Sequence, residues 1–375
     1  MEEARVWLRE ELLGTGKCQQ ADCGYPPLPP PWLNPDKLRR GQQYFHVNFL
    51  SVFVSNLVGL LCLLTVPNIL QILRSTQRSS TPITAYRRYL ATLTHVKLWY
   101  SEDVFNPQSR AFKSIQQVRQ LHSSAFRSSS VTQTDMVLTQ WAFFGLVVTR
   151  GRQLGLTYTR EEEEGLVHFW RAVGYLLGIE DRFNLCAGEM SEVRERCKMI
   201  QERVMAPGLV SPPPHCATMT DALLQGVHRI TPPMDPDALT AFTHSLFDIK
   251  PPCDLSYYSS VTFSNMVWIF ECVFHLPVVG HLVRWWVNML LNLNLNICNH
   301  HPSIVAFMMH VEKYILFLIP FFVNMLKRSV RKMINSKINS KLKVIALCGS
   351  RSVFSSYQQH PQAPDYITTC NYRDG

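Results

Sequence analysis

The feature that most constrains the fold is a long uncharged stretch near the amino terminus. No Asp, Glu, Lys or Arg occurs between residues 41 and 73, and Arg39, Arg40 and Arg74 flank the stretch. Within it, residues 49–66 form a mostly apolar run of 18 residues. Such a run reaches the lower length limit of a transmembrane helix, but a helix buried on every side in a large core has the same composition. Both interpretations require a helix, and the sequence leaves the choice open.

Two segments after this run have helical periodicity. Residues 82–126 predict two helices joined by a loop near Asn106 and Pro107. Residues 131–149 are apolar nearly all round, which predicts a buried helix.

The next helix has a clear start and end. Thr159, followed by Glu162 three residues later, forms a capping box. The glutamates at 161–164 suit the positive end of a helix dipole, so we interpret them as helix-start residues rather than a cation site. Gly178 is the predicted stop.

The remaining central segments also lack strands. They predict an exposed charged helix at 190–205, a loop at 207–214, and one or two amphipathic helices at 217–248 that are broken at Pro232 and Pro233. No segment has a strong period-2 pattern. The predicted fold class is therefore all-α.

The charge balance points to a membrane surface rather than to nucleic acid. The formal net charge is +9, but the chain has no zinc-finger spacing and no aromatic-basic RNA motif. Residues 314–326 are apolar but too short to cross a bilayer, and they fit a buried or interfacial helix. Residues 327–343 then carry seven basic and no acidic residues. This segment predicts either a lipid-facing polybasic helix or a solvated one.

Cysteine usage indicates a reducing location. The 11 cysteines are scattered without a repeated spacing, which argues against a disulfide framework. We expect a membrane-associated protein with its main domain facing the cytosol. The expected domains are an N-terminal helix with a Pro-rich connector at 1–40, a helical domain at 41–330, and a basic segment with a polar tail at 331–375.

Familiar catalytic motifs are absent from the sequence. It contains no G-x-S-x-G elbow, no Walker A loop, no G-x-G-x-x-G and no H-E-x-x-H. Cys298, His300 and His301 are close in sequence, but so short a window cannot complete a tetrahedral metal site. A structural role is the favoured interpretation there. His168 is likewise interpreted as a core histidine with a satisfied hydrogen bond.

One spacing deserves a chemical interpretation. Arg88 and Thr92 are four residues apart and therefore share a helix face, and His122 follows 30 residues after Thr92. A later helix that brings His122 towards that face would combine one imidazole with a cation and a hydroxyl. Spacing alone does not separate this site from three ordinary polar contacts.

A family resemblance adds to this spacing. The segment AYRRYLATLTHVKLWYSEDVFNPQSRAFKSIQQVRQLHSSAF resembles the haem-binding stretch of the rubber oxygenase (latex clearing protein) and MpaB oxygenase family. The blocks QTDMVLTQWAFFGLVV and LGLTYTREEEEGLVHFWRAVGYLLGIEDRFNLC resemble its eukaryotic MpaB-like branch more closely. The resemblance covers roughly residues 45–250.

The resemblance implies a globin-like helical bundle around haem b, with apolar helices that could contact a membrane, and the endoplasmic reticulum is the candidate membrane. His122 would be the axial ligand of the iron, and Arg88 and Thr92 would lie near the propionates or bound dioxygen and act in catalysis. The chemistry agrees, since imidazole is a common haem ligand and a cation with a hydroxyl can stabilise developing negative charge.

Two departures from the family pattern bear on catalysis. The family has a lysine immediately before the threonine, where this chain has Ala91. It also uses a glutamate one helix earlier as a base, whereas no Asp or Glu occurs between Gly41 and Ser101, and Gln71 is the nearest polar candidate. A glutamine cannot accept a proton at neutral pH.

We therefore expect a haem-dependent oxygenase that acts on an apolar, isoprenoid-like substrate with dioxygen and contacts membrane lipids. The first alternative is a non-catalytic haem- or lipid-binding membrane protein. The second is a structural membrane protein without a cofactor.

Overall fold

Helices form the regular secondary structure of this protein. The computed structural model describes residues 2–129, 131–231, 234–252 and 254–301. Within these ranges, the one pairing of extended backbone is an isolated bridge between Gln20 and Thr132. The all-α prediction is confirmed. The predicted segments at 314–326 and 327–343 lie outside the described residues.

Fourteen α-helices follow one another in the described ranges. They are α1 Glu2–Val6, α2 Pro35–Val47, α3 Phe49–Leu63, α4 Pro67–Ser75, α5 Pro82–Ser101, α6 Arg110–Ser129, α7 Gln133–Arg150, α8 Arg160–Leu176, α9 Met190–Ile200, α10 Ala206–Val210, α11 Cys216–Ile230, α12 Pro236–Ser245, α13 Tyr257–Glu271 and α14 Val279–His300. Short π-helices occur at Trp7–Leu12 and Gln201–Met205, and 3₁₀ turns at Thr15–Cys18 and Val273–His275.

The apolar run forms α3, which is buried on nearly all sides. A β-carbon on Gly59 would overlap the backbone carbonyl of Ala142, so glycine lets α3 pack directly against α7. No single described helix is long and apolar enough to span a membrane. One bent pair, α2 with α3, passes the length and composition test together, with an angle of 92° between its helices.

Helix boundaries follow the capping residues. The Thr81 side chain caps α5, and α6 begins after the loop around Asn106 and Pro107, as predicted. The Thr159 backbone N–H donates to Glu162 Oε2 at 2.8 Å, which confirms the predicted capping box. Gly178 follows α8 with φ of +92°, a left-handed conformation that favours glycine.

Two sequence predictions after α8 need correction. The segment 190–205 was predicted to be exposed, but Val193 and Cys197 are fully buried on one face of α9. The helix is therefore amphipathic, because its charged residues occupy the opposite face only. The loop predicted at 207–214 begins inside the short helix α10, where Pro207 fits the first turn because that turn needs no backbone donor there.

The amino-terminal segment ties α6, α7 and α8 together. Arg119 on α6 donates to both carboxylate oxygens of Asp22, at 2.8 Å and 2.5 Å. The Gln133 amide at the start of α7 donates to the carbonyls of Gln20, Ala21 and Gly178. These contacts fix helices that line the cavity described below.

Candidate functional site

A cavity of about 880 Å³ that is partly open to solvent lies among helices α3 to α8. Its volume is within the roughly 300–1,000 Å³ that small-molecule sites occupy. Most of its wall is apolar, and these side chains include Leu60, Leu63, Ile69, Ile72, Leu73, Val96, Trp99, Val118, Met136, Phe143, Trp170 and Val173. Such a wall favours an apolar ligand.

Arg88, Thr92 and His122 all line this cavity. Arg88 and Thr92 are one turn apart on α5, as their spacing predicts, and His122 comes from α6. The positive charge of Arg88 contributes to the lowered pKa of His122. The fold therefore brings the three predicted site residues to one cavity.

Arg88 is a cation without an acidic partner among the described residues. Its Nη1 donates to Thr76 Oγ1 and Ser79 Oγ, both at 3.2 Å. Burial lowers its pKa, with a further contribution from the charge of Arg78. A guanidinium held by two neutral hydroxyls keeps its charge available for a ligand, and it favours an anionic or electron-rich group.

His122 carries a buried ring nitrogen that lacks a hydrogen-bond partner within the described part of the chain. This atom is Nδ1, although the residue as a whole is only half-buried. Burial, followed by the charge of Arg88, lowers the pKa of His122 to about 4. The imidazole is therefore neutral at physiological pH, which is the form that binds metals.

Thr92 is already engaged by the backbone of its own helix. Its Oγ1 donates to the carbonyl of Arg88 at 3.1 Å. The hydroxyl can accept a hydrogen bond from a ligand in this rotamer, but its proton is committed. This limits the expected role of Thr92 as a donor to dioxygen.

One carboxylate of the cavity wall takes part in a helix cap. Asp135 is the one carboxylate residue among those that line the cavity, and the sequence interpretation did not identify it. Its Oδ2 accepts from the backbone N–H and hydroxyl of Thr132 and from Asn68. Asp135 thus completes a capping box at the start of α7, a signal that a Thr-x-x-Asp pattern carries in the sequence. Ala91 also lines the cavity and supplies no polar group.

A second histidine of the cavity was missed by sequence reasoning. His95 follows Thr92 by one turn on α5, and its Nδ1 lies 2.7 Å from Ser114 Oγ on α6. The indole N–H of Trp99 donates to the same oxygen at 2.8 Å. The spacing of three residues from Thr92 was a usable signal, but Ser114 belongs to another helix.

The other candidate polar residues have structural surroundings. The described residues contain no group of three or more His, Cys, Asp or Glu side chains that could hold a metal ion. Cys298, His300 and His301 therefore do not form such a group. The backbone N–H of Asn34 donates to His168 Nε2 at 2.8 Å. His168 is therefore a histidine with a satisfied hydrogen bond, as predicted.

Comparisons with known proteins agree with this architecture. A family model described as "ER-bound oxygenase mpaB/B'/Rubber oxygenase, catalytic domain" matches residues 44–247. A solved structure of latex clearing protein LCP in the closed state matches with a TM-score of 0.51 and 17% sequence identity. That match covers 78% of this chain and 87% of the other, and at this identity it shows the fold. A search of curated proteins gave no match. Since the family model covers more than half of the sequence, the chain belongs to the family of mpaB-type and rubber oxygenase catalytic domains.

Proposed function

We propose that this protein is a haem b-dependent oxygenase that acts on an apolar, isoprenoid-like substrate. Its family is one of oxygenases, which implies dioxygen and a small-molecule substrate. The observation that carries the haem assignment is the unpartnered Nδ1 of His122, buried beside the unpaired cation of Arg88 in the cavity wall.

The donor set fits haem better than a metal ion bound by side chains alone. A porphyrin supplies four nitrogens, so the protein needs to provide one axial ligand, and a neutral His122 suits that role. A site without porphyrin needs several protein ligands, and the described residues offer no cluster of three. The guanidinium of Arg88 suits a propionate, because it lacks a carboxylate of its own.

The residues of the cavity would act by binding and orientation. Haem iron supplies the activation of dioxygen when the cofactor is bound. Arg88 would supply positive charge to an anionic or electron-rich group, and Thr92 Oγ1, which donates its proton to the carbonyl of Arg88, could still accept a hydrogen bond. The largely apolar wall would hold an apolar substrate.

A non-catalytic haem- or lipid-binding protein is the second candidate function. Two observations favour it: Ala91 stands where the family has a lysine, and Asp135 is held in a helix cap. Oxygen uptake by haem-loaded protein with linear isoprenoids separates the two candidates. The oxygenase requires uptake that depends on the isoprenoid, whereas bound haem without such uptake supports the binding protein.

Membrane association is part of the proposal, with the cytosolic side of the endoplasmic reticulum as the location. One face of α14 and the residues before it expose apolar side chains to solvent, among them Val278, Val279, Leu282, Trp285, Trp286, Met289, Leu290 and Leu293. Exposed tryptophans and leucines on one helix face suit the interfacial region of a bilayer. The basic sequence at 327–343 would add attraction to anionic lipids.

A further inference from the structure

We infer that His95 binds an oxygen atom of the substrate, so that the preferred substrate is an apolar chain carrying a hydroxyl, ether or carbonyl group rather than a pure hydrocarbon. This inference rests on the proposed function, because it names the substrate class of the same cavity. It depends on the orientation of one imidazole and on the hydrogen bonds of the other polar side chains around it.

The ring of His95 is held by contacts on one side. Ser114 Oγ lies 2.7 Å from its Nδ1 and accepts the Trp99 indole N–H at 2.8 Å. The indole N–H of Trp99 can only donate, so Ser114 Oγ accepts from it. The hydroxyl proton of Ser114 then needs an acceptor, and among the described contacts that acceptor is Nδ1 of His95. His95 then carries its own proton on Nε2.

The Nε2–H of His95 has no partner in the described part of the protein, and the residue lines the cavity. Burial lowers the pKa of His95, which keeps the ring neutral at physiological pH. A neutral imidazole with a fixed tautomer is a hydrogen-bond donor at a defined place in the cavity wall.

Four neutral polar side chains of the wall already donate to the protein, whereas the guanidinium of Arg88 remains available to a ligand. Thr139 donates to the carbonyl of Asp135, and Thr76 donates to that of Leu73. The Gln140 amide donates to Trp170 and Asn184 and accepts from Leu185. Together with Thr92, these side chains have no donor left for a ligand without a change of rotamer. The Nε2–H of His95 is free of such commitments.

His95 and His122 lie at different levels of the cavity wall. Helices α5 and α6 run antiparallel, since Ser114 contacts His95 while His122 faces Arg88. Ser114 and His122 are eight residues apart on α6, which is about 12 Å along the helix axis. His95 would therefore contact a part of the ligand that is remote from the atoms at His122.

Substrate choice follows from the unsatisfied donor. A ligand oxygen at Nε2 replaces the hydrogen bond to water that His95 loses when the cavity fills, whereas a hydrocarbon leaves the donor unpaired. We expect the hydrogen bond to strengthen binding by about tenfold.

The test is a binding experiment with three matched probes: farnesol, its methyl ether, and the hydrocarbon that lacks the oxygen. Dissociation constants are measured by isothermal titration calorimetry for the wild type and His95→Phe. The expected result is a loss of about tenfold for farnesol and the ether on substitution, with the hydrocarbon unchanged or bound more tightly. The ether can only accept a hydrogen bond. Weaker binding of the ether to His95→Phe therefore identifies the Nε2–H of His95 as the donor.

Two further variants guard against a folding defect. His95→Gln keeps an N–H donor and should retain most of the preference. Ser114→Ala leaves His95 in place but removes its hydrogen-bond partner, so the preference should fall. The inference is overturned if His95→Phe weakens all three probes equally, if it weakens none, or if the wild type binds none of them. An absorption spectrum of the same samples keeps the two proposals apart, because missing haem contradicts the proposed function and leaves these outcomes unchanged.

Discussion

Burial, with a further contribution from the charge of Arg88, explains the neutral state of His122. Burial and the guanidinium both disfavour the imidazolium, so the pKa falls to about 4. Proton binding therefore does not compete with metal binding at neutral pH. Thr92, in contrast, is committed to its own helix.

Arg88→Gln tests the role of the unpaired cation. We expect the variant to bind haem about tenfold or more weakly, because a charge-assisted contact to an anionic group of the cofactor is lost. Haem titration followed by absorbance measures the change. Arg39→Gln, at an exposed position on α2, is the control and should leave the affinity unchanged. Equal affinities of the wild type and Arg88→Gln would refute the contact.

His168 makes the stability of the protein pH-dependent. Burial, with the charges of Lys37 and Arg171, lowers its pKa to about 4. The unfolded chain therefore binds more protons than the folded chain between about pH 6.5 and pH 4, so the free energy of unfolding falls as the pH decreases through this window. Urea denaturation at several pH values measures how the free energy of unfolding changes with pH. His168→Gln should reduce the slope, since glutamine can still accept from Asn34; an unchanged slope would contradict this account.

At the scale of elements, the amino-terminal segment positions the helix that carries His122. The pKa of Asp22 is lowered on balance although burial raises it, because the hydrogen bond and charge of Arg119 outweigh burial. Arg119 also reaches the carbonyl of Leu176 at the end of α8. The segment and two helices are thus joined through one guanidinium.

Asp22→Asn should destabilise the fold by about 3 kcal/mol, because it leaves a largely buried guanidinium without its counter-charge. Chemical denaturation measures the free energy of unfolding. The matched control is Asp36→Asn, which breaks an exposed pair with Arg39 and should cost less than about 1 kcal/mol. If the two variants lose similar free energies of unfolding, the contact of Asp22 with Arg119 does not stabilise the fold more than an exposed ion pair does.

The sequence predicted those elements whose boundaries depend on local chemistry. The caps at Thr81 and Thr159 and the stop at Gly178 act within a few residues, so their signals are visible in the chain. The burial of α3 was not decidable, because an apolar helix looks alike in a core and in a bilayer. Arg88 and Thr92 were predicted from their spacing on α5, and His122 on α6 was predicted with the help of the family resemblance. His95 was missed because its partner Ser114 comes from α6.

At the scale of the whole molecule, apolar surface and basic charge occur towards the carboxyl end. Trp285 and Trp286 are 64% and 55% exposed on α14, which is unusual for large aromatic residues in water. The cavity, in contrast, is built by α3 to α8. The proposed catalytic cavity and the proposed membrane surface therefore belong to different helices of the described protein.

Replacement of both tryptophans tests the membrane surface. We expect Trp285→Gln with Trp286→Gln to reduce binding to vesicles of anionic and zwitterionic phospholipid by about tenfold or more, because two large apolar side chains no longer enter the interface. Co-sedimentation measures binding. Leu28→Gln, which is 63% exposed near the amino terminus, is the control. Equal sedimentation of the double variant and the wild type would place the membrane contact elsewhere.

The measurement that tests the central claim most directly is the absorption spectrum of protein expressed with ample haem. We predict a Soret band that His122→Ala abolishes while its circular dichroism remains helical. His281→Ala, which removes an exposed histidine on α14, should keep the band. A wild-type protein without a Soret band, or a band that persists unchanged in His122→Ala, would contradict axial ligation by His122.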